Sequence, residues 1–224
     1  MNLLAIETAT EIASLALQVD GKVFSRSAIG AQQHAGLILP MLNSLLSEAA
    51  INLSQLDGIV FGRGPGSFTG IRIACSIAKG LAYGQSLPLY PVSSLAAIIN
   101  TIMLSDQYLL DHEEGVLVMI DARMQQVYWT YAMDVNNIQQ ECLSDVKSIA
   151  LSGCNKFLLA GVGWQPYQTQ FPMTLSTRIS QSVVLYPCAE TMLAMVNTGK
   201  ISPVTVNDAL PVYIRNQVTQ MSHK

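Results

Sequence analysis

Gly62-Arg63-Gly64-Pro65-Gly66-Ser67-Phe68-Thr69-Gly70-Ile71-Arg72-Ile73 is the stretch on which the reading of the fold turns. It follows an apolar run, Leu56 to Phe61, and opens into a helical pattern, Ala74 to Tyr83. Strand, glycine-rich turn and helix in that order aim backbone N–H groups and a helix dipole at one point, an arrangement suited to anions. The chemistry that would complete a phosphate site is missing. No Gly-Lys-Ser/Thr occurs in the turn, and its glycines do not fit Gly-x-Gly-x-x-Gly. The segment has the shape of a nucleotide loop without its residues, which points to a partner-binding relative of a nucleotide-handling fold.

On either side, the chain reads as two similar cycles. Leu3 to Glu7 is a buried strand, Ala13 to Val19 a second, and Lys22 to Ala28 a third across an Asp20-Gly21 hairpin turn. A helix over about 35–50 carries Ile38, Leu42, Leu45, Leu46 and Ala49 on one face, with Pro40 either kinking it or starting its regular part. After the glycine turn and its helix come the strand Pro88–Val92 and a helix from Ser93 or Ser94. A second cycle opens near Gly115. Val116 to Ile120 ends in Asp121 as the first strand ends in Glu7, followed by strands Gln125–Met133 and Ile138–Cys142, a short helix from Asp145, a strand Lys156–Ala160 and a helix Ala189–Asn197. The plan is α/β, two related lobes of roughly 100 residues, each a mixed sheet flanked by helices. The boundaries are 1–104 and 115–224, with the C-terminal tail free to return to the first lobe. Residues 163–187 have little periodicity and are assigned no element.

Composition narrows the function. Of 224 residues, 50% are apolar and 12% charged, with a net charge of −3 and 12 Lys plus Arg in no cluster. A chain that grips tRNA or DNA alone needs several phosphate contacts, so a nucleic-acid substrate would have to be held by another subunit. Cys75, Cys142, Cys154 and Cys188 stand far apart with no Cys-x-x-Cys pair, and read as reduced thiols. No basic stretch leads into a signal core, and no apolar run approaches the roughly 20 residues of a membrane span. The expected location is the cytoplasm.

Taken together, the specific segments resemble one family. They are Leu4-Ala5-Ile6-Glu7-Thr8-Ala9-Thr10, His34 with Ile38-Leu39-Pro40-Met41, Phe61 through Ile73, Ile120-Asp121-Ala122-Arg123 with Val127-Tyr128-Trp129, and Pro211-Val212-Tyr213-Ile214-Arg215-Asn216. Their order and spacing are similar to the bacterial TsaB (YeaZ) family over nearly all of residues 1–95, over 116–131 and in the tail. The resemblance implies a non-catalytic member of the actin-like, Hsp70 and sugar-kinase (ASKHA) superfamily. Its paralogue TsaD holds the active site that transfers threonylcarbamoyl from an adenylate to N6 of adenosine 37 in tRNA, and a small ATPase, TsaE, joins the pair. It further implies a heterodimer with TsaD, a homodimer when alone, and no metal or cofactor. The His-x-x-x-His pair of TsaD-type proteins is absent, since the histidines are His34, His112 and His223. Two positions depart from the family pattern: Glu7 where Asp is usual and Ala74 where Gly is common.

Residue by residue, the readings divide. Gly64, Pro65, Gly66, Ser67 and Gly70 form a structural turn, either for unusual φ angles and close packing alone or also to present Phe68 and Arg72 to a partner. The helix after it, with Ile71, Ile73, Ala74, Ile77, Ala78, Leu81 and Ala82, shows little polar surface and is expected to be covered nearly all round. Paired with the 35–50 helix it would form half of a four-helix interface with a paralogue, drawing on His34, Ile38, Leu42, Leu45, Phe68, Arg72, Ile73, Ala74, Ile77 and Leu81. The plainer alternative is an ordinary core helix pair. His34 reads as a cap or packing residue rather than a ligand or base. Glu7 and Asp121 are either a carboxylate pair for acid–base or Mg²⁺ work or, more simply, acceptors for turn N–H groups at strand ends. Ser67 lacks a Gly-x-Ser-x-Gly setting and a His–Asp set to activate it, against a stand-alone hydrolase; that reading and a small-molecule ATPase are the alternatives to the scaffold. His112-Glu113-Glu114 reads as a solvated loop, and Lys79 as reaching the helix rim.

Overall fold

The computed structural model describes residues 1–30, 33–108, 110–111, 113–151, 153 and 155–215. His112, Cys154, Asn216 and His223, named above, lie outside the described residues. In chain order the elements are β1 (Leu3–Glu7), β2 (Ile12–Val19), β3 (Lys22–Ile29), α1 (His34–Ala49), β4 (Gly58–Gly64), α2 (Phe68–Gln85), β5 (Leu89–Ser93) and α3 (Ser94–Met103). The second cycle is β6 (Glu114–Arg123), β7 (Gln126–Ala132), β8 (Cys142–Asp145), β9 (Lys156–Val162), α4 (Met173–Ser176), β10 (Ile179–Val184) and α5 (Ala189–Asn197).

Two five-stranded sheets result, β3-β2-β1-β4-β5 and β10-β9-β6-β7-β8. Read from β8, the second repeats the order of the first. In each, the opening strand pairs antiparallel with its hairpin neighbour and parallel with the strand after the crossover. The repeated plan legible in the sequence is therefore a repeated topology. At the β2–β3 hairpin both Asp20 (φ 48°) and Gly21 (φ 81°) take positive φ, as the Asp-Gly signal requires.

Three expectations are corrected. The third strand of the second cycle is Cys142–Asp145, not Ile138–Cys142; Ile138 makes only a single bridge to Ala132. The helix expected from Asp145 is one 3-10 turn, Val146–Ser148, capped by the Asp145 carboxylate accepting from Lys147 N–H. The unassigned stretch 163–187 contains a 3-10 turn over Gln165–Gln170, α4 and the edge strand β10. That strand's exposed polar residues hide the two-residue period of a half-buried strand.

β1 is buried on both faces, and alternate residues serve different cores. Leu4 and Ile6 face an outer core with α1 and α2, whereas Leu3 and Ala5 face an inner one with α5. In β6, Leu117 and Met119 point outward to Trp129, Trp164 and Phe171, while Val116, Val118 and Ile120 meet Leu95, Ile98, Ile99 and Ile102 of α3. The two halves thus exchange helices across the centre. α3 follows the first sheet in sequence yet lies mainly on the second, and α5 follows the second sheet yet lies on β1, β2 and β4. Hydrogen bonds pin the exchange: Thr101 Oγ1 and Thr191 Oγ1 are 2.8 Å apart, and Ala189 N–H donates to Ser14 Oγ at 3.0 Å. Residues beyond α5 also return to the first sheet, where Val204 bridges Leu89 and Ala209 joins the outer core.

Because the exchanged helices fill one space between the sheets, the lobes should unfold together. Leu193, fully buried against the first sheet, is expected to cost about 2–5 kcal/mol when cut to alanine. Both tryptophans belong to the second sheet's outer core. In Leu193→Ala, their fluorescence midpoint in urea should shift as far as the midpoint read by far-UV circular dichroism. A shifted dichroism midpoint with an unmoved fluorescence midpoint would show independent lobes.

Candidate functional site

Backbone contact decides what the glycine turn can do. β4 runs into a cis Gly64–Pro65 peptide, with Gly64 at φ 94°. The turn then lies directly on the β1–β2 connection. A Cβ on Gly66 would stand 2.4 Å from Ala9 O, and one on Gly70 only 1.9 Å from Thr8 O. Ser67 N–H donates to Ala9 O at 2.7 Å, Gly70 N–H to Ser67 Oγ at 3.3 Å, and Thr8 Oγ1–H to Gly70 O at 2.7 Å. The Ser67 and Gly70 N–H groups, two donors of the kind a phosphate loop turns outward, are spent inside. Ser67 is the N-cap of α2, and its hydroxyl is engaged as acceptor there. Gly70→Ala forces two backbones apart and is expected to lower stability by about 2–4 kcal/mol, read as a fall in the urea midpoint with an unchanged slope.

The carboxylates at the two strand ends do not work as a pair. Glu7 is fully buried; its Oε1 accepts from Ala9 N–H at 2.5 Å and its Oε2 from Ser94 Oγ–H at 2.8 Å, at the head of α3. Asp121 lies at the edge of the interlobe cleft, where Oδ1 accepts from Arg123 N–H at 2.8 Å and from Tyr167 O–H at 2.9 Å. Each accepts a local turn N–H, as the simpler reading has it, and each also accepts from a hydroxyl remote in sequence, Ser94 or Tyr167. His34 is buried too, its Nε2 2.9 Å from Thr10 O, and it packs α1 against the start of β2. Among the described residues no group of three or more His, Cys, Asp or Glu is placed to hold a metal ion.

Burial lifts the Glu7 carboxyl from its ordinary 4.5 to about 7, against the downward pull of the Ala9 N–H, the Ser94 hydroxyl and the Thr8 N–H. In the unfolded chain the group titrates near its ordinary value. Stability is therefore highest below pH 4.5 as far as this group is concerned, falls as pH rises to 7, and is lower above it by about 3 kcal/mol. Glu7→Gln keeps an acceptor for Ala9 and offers a donor to Ser94. It should flatten stability between pH 5 and 8 and exceed the parent chain at pH 8, measured by urea unfolding at each pH.

The predicted interface residues separate by depth. Ile38, Leu42, Leu45 and Ala74 are buried in the first lobe's own core, where they hold α1 and α2 to the sheet, and His34 is buried beside the start of β2. Nor is α2 covered all round. Ile73, Ile77 and Leu81 are half-buried, while Phe68 (45% exposed), Arg72, Ser76, Gly80 and Tyr83 (80% exposed) form a solvent-exposed stripe at helical spacing. α1 adds Leu39 (50% exposed), Gly36, Pro40 and Asn43. The helix is continuous through Pro40, which lies on this exposed side. A Cβ at Gly36, Gly80 or Gly84 would meet nothing within 4 Å, so the outer side of both helices is low relief. Period alone could not sort apolar helix residues into those facing the sheet and those facing out.

Sequence reasoning also missed a cluster at the head of α2. The Arg72 guanidinium lies 3.6 Å above the Phe68 ring and 5.5 Å from the Tyr213 ring, and its Nε–H donates to the Tyr213 phenol oxygen, Oη, at 2.8 Å. Beside it a cleft of about 530 Å³ separates the lobes, walled by the Ala9–Glu11 turn, the start of α2, the β6–β7 hairpin and residues 212–215. The only sequence signal for the cluster was the tail motif itself.

A chain of this topology, with both sheets repeated and the glycine turn seated on the first hairpin, can be matched to proteins already known. It is 37% identical to a tRNA threonylcarbamoyladenosine biosynthesis protein TsaB of Escherichia coli over 97% of its length and 96% of that protein's. A relative of the same name from Haemophilus influenzae is 33% identical over 98% of this chain and 95% of its own. The chain belongs to the TsaB family. The model of the wider family described as TsaD, tRNA N6-adenosine threonylcarbamoyltransferase, matches residues 26–196. The solved structure of YeaZ from Pseudomonas aeruginosa superposes with a TM-score of 0.83 at 34% identity, over 95% of this chain and 99% of that one. The architecture is accordingly that of the actin-like superfamily. Among the described residues no helix is long and apolar enough to cross a membrane.

Proposed function

We propose that the chain is a non-catalytic subunit in the synthesis of N6-threonylcarbamoyladenosine in tRNA, one that binds a TsaD-type paralogue and holds it in its active conformation. The observation that carries this reading is the outer side of α1 and α2. A stripe of Phe68, Arg72, Ile73, Ile77 and Tyr83 stays wholly or partly open, next to glycines that let another helix come close. Activation then follows from selective binding: a partner whose competent state alone fits this surface spends more time in that state. The same surface, self-complementary about a two-fold axis, would form the homodimer when no paralogue is present. The TsaE ATPase would dock on the assembled pair. The low count of 12 Lys plus Arg supports a reading in which the other subunits make the tRNA contacts.

Gly80 gives a clean test, because a side chain there projects into open space and leaves the fold intact. Gly80→Arg should keep the parent melting temperature to within about 2 °C. It should weaken association with the TsaD paralogue by tenfold or more, since an arginine would be trapped unpaired in an apolar contact. Size-exclusion chromatography with light scattering, on the chain alone and mixed with the paralogue, reads both assemblies. Undiminished pairing would exclude this face, and loss of one assembly without the other would exclude a shared one. Substrate turnover by the purified chain, abolished by Ser67→Ala or Asp121→Asn, would instead establish a stand-alone enzyme.

A further inference from the structure

Residues 204–215 do more than return to the first lobe. Val204 pairs with the edge strand β5, Ala209 O accepts from Lys79 Nζ–H at 3.2 Å and from Cys75 Sγ–H at 3.6 Å, and Val212 N–H donates to Arg63 O at 2.8 Å. Tyr213 then closes on Phe68 and Arg72, its ring centroid 5.7 Å from that of Phe68. Every one of these contacts is with the first lobe.

Two residues on, the chain reaches the second. Arg215 Nη2–H donates to Ala122 O at 3.0 Å and to Arg123 O at 3.3 Å, and Nη1–H to Met124 Sδ at 2.9 Å. Those acceptors belong to the tip of the β6–β7 hairpin, where Arg123, Met124 and Gln125 all hold positive φ (64°, 55° and 62°). Left-handed backbone at three successive non-glycine residues is costly and persists only where surroundings hold it. A guanidinium with five fixed donors is suited to gripping adjacent carbonyls. Val212, Tyr213 and Arg215 also line the interlobe cleft, so the segment crosses its mouth.

We infer that residues 212–215 are a strap that couples the two lobes across the cleft, joining the head of α2 to the β6–β7 hairpin so that loosening either end loosens the other. Its consequence is that the strained hairpin of the second lobe and the exposed start of α2 share one state, and a ligand or partner meeting either is felt at both. The inference does not depend on which partner α2 meets.

Hydrogen exchange on the full chain, read separately in peptides covering 120–127 and 67–74, tests it. Tyr213→Ala cuts the first-lobe end and Arg215→Ala the second. Each is expected to speed exchange about fivefold in both peptides, including the one it does not touch. The double variant should add little to either single one, because a strap cut once is already cut. Purely local effects, with Arg215→Ala confined to 120–127 and Tyr213→Ala to 67–74, would overturn the strap, as would no effect in either peptide. Tyr213→Phe and Arg215→Gln, which remove hydrogen bonds and little packing, are read by the same crossed criterion should an alanine variant fail to fold.

Discussion

The arrangement rests on one shared filling. α3 and α5 occupy the space between the sheets, each lying on the sheet of the other half, and both sheets complete their inner cores with them. A five-stranded sheet buried on both faces needs an apolar layer on each side. Here the inner layers interlock instead of being built twice. Ala97 of α3 sits in the inner core of the first sheet among α5 residues, so neither helix could leave without opening both lobes. Everything at the surface is placed relative to that centre, including the cleft and the outward sides of α1 and α2.

Within this frame the glycine turn acquires a role different from that of the phosphate loops it mimics. A phosphate loop keeps its N–H groups pointed at open space. Here the β1–β2 connection presses against Gly66 and Gly70 closely enough to exclude a single methyl group, and it takes the Ser67 N–H for itself. The same contact fixes the first turn of α2 and so sets where Phe68 and Arg72 emerge. Rigid backbone seating is what a protein–protein surface needs, since side chains presented from a loose turn would pay an ordering cost on binding. Polar contacts between the lobes work to the same end: Glu141 of the second lobe accepts from Arg63 at 3.1 Å and from Ser93, while Tyr186 O–H donates to Glu11 at 2.6 Å.

Glu7 shows the cost of such burial. The carboxyl is wedged against Gly62, where a Cβ would stand 2.1 Å from Oε2, and it ties the end of β1 to Ser94 at the start of α3. Its side chain spans from the first sheet to the exchanged helix, and the burial that comes with this pushes its ionisation to about 7. A group so enclosed acts as a joint between elements, and the cleft is left to Asp121.

The sequence by itself determined the period and therefore the elements. Alternation and turn chemistry located nearly every strand, since a pleated strand buried on one or both faces, or a left-handed Asp-Gly turn, admits few residue types. The repeat was legible because equivalent strands need equivalent patterns, and the tail and glycine turn stood out by their specific residue motifs. What the tertiary structure alone decided was orientation. Ile38 and Leu42 lie against the sheet while Leu39 stands outside, although all three are apolar. β10 escaped notice because its exposed residues carry no period. The exchange of α3 and α5 is invisible to any local pattern: each helix is apolar enough to be buried, and only the packed assembly determines against which sheet. Arg215 and Tyr213 likewise stand more than 80 positions from the hairpin and the helix that they join. A contact of that range is set by where the whole chain has already brought its ends, and no local spacing encodes it.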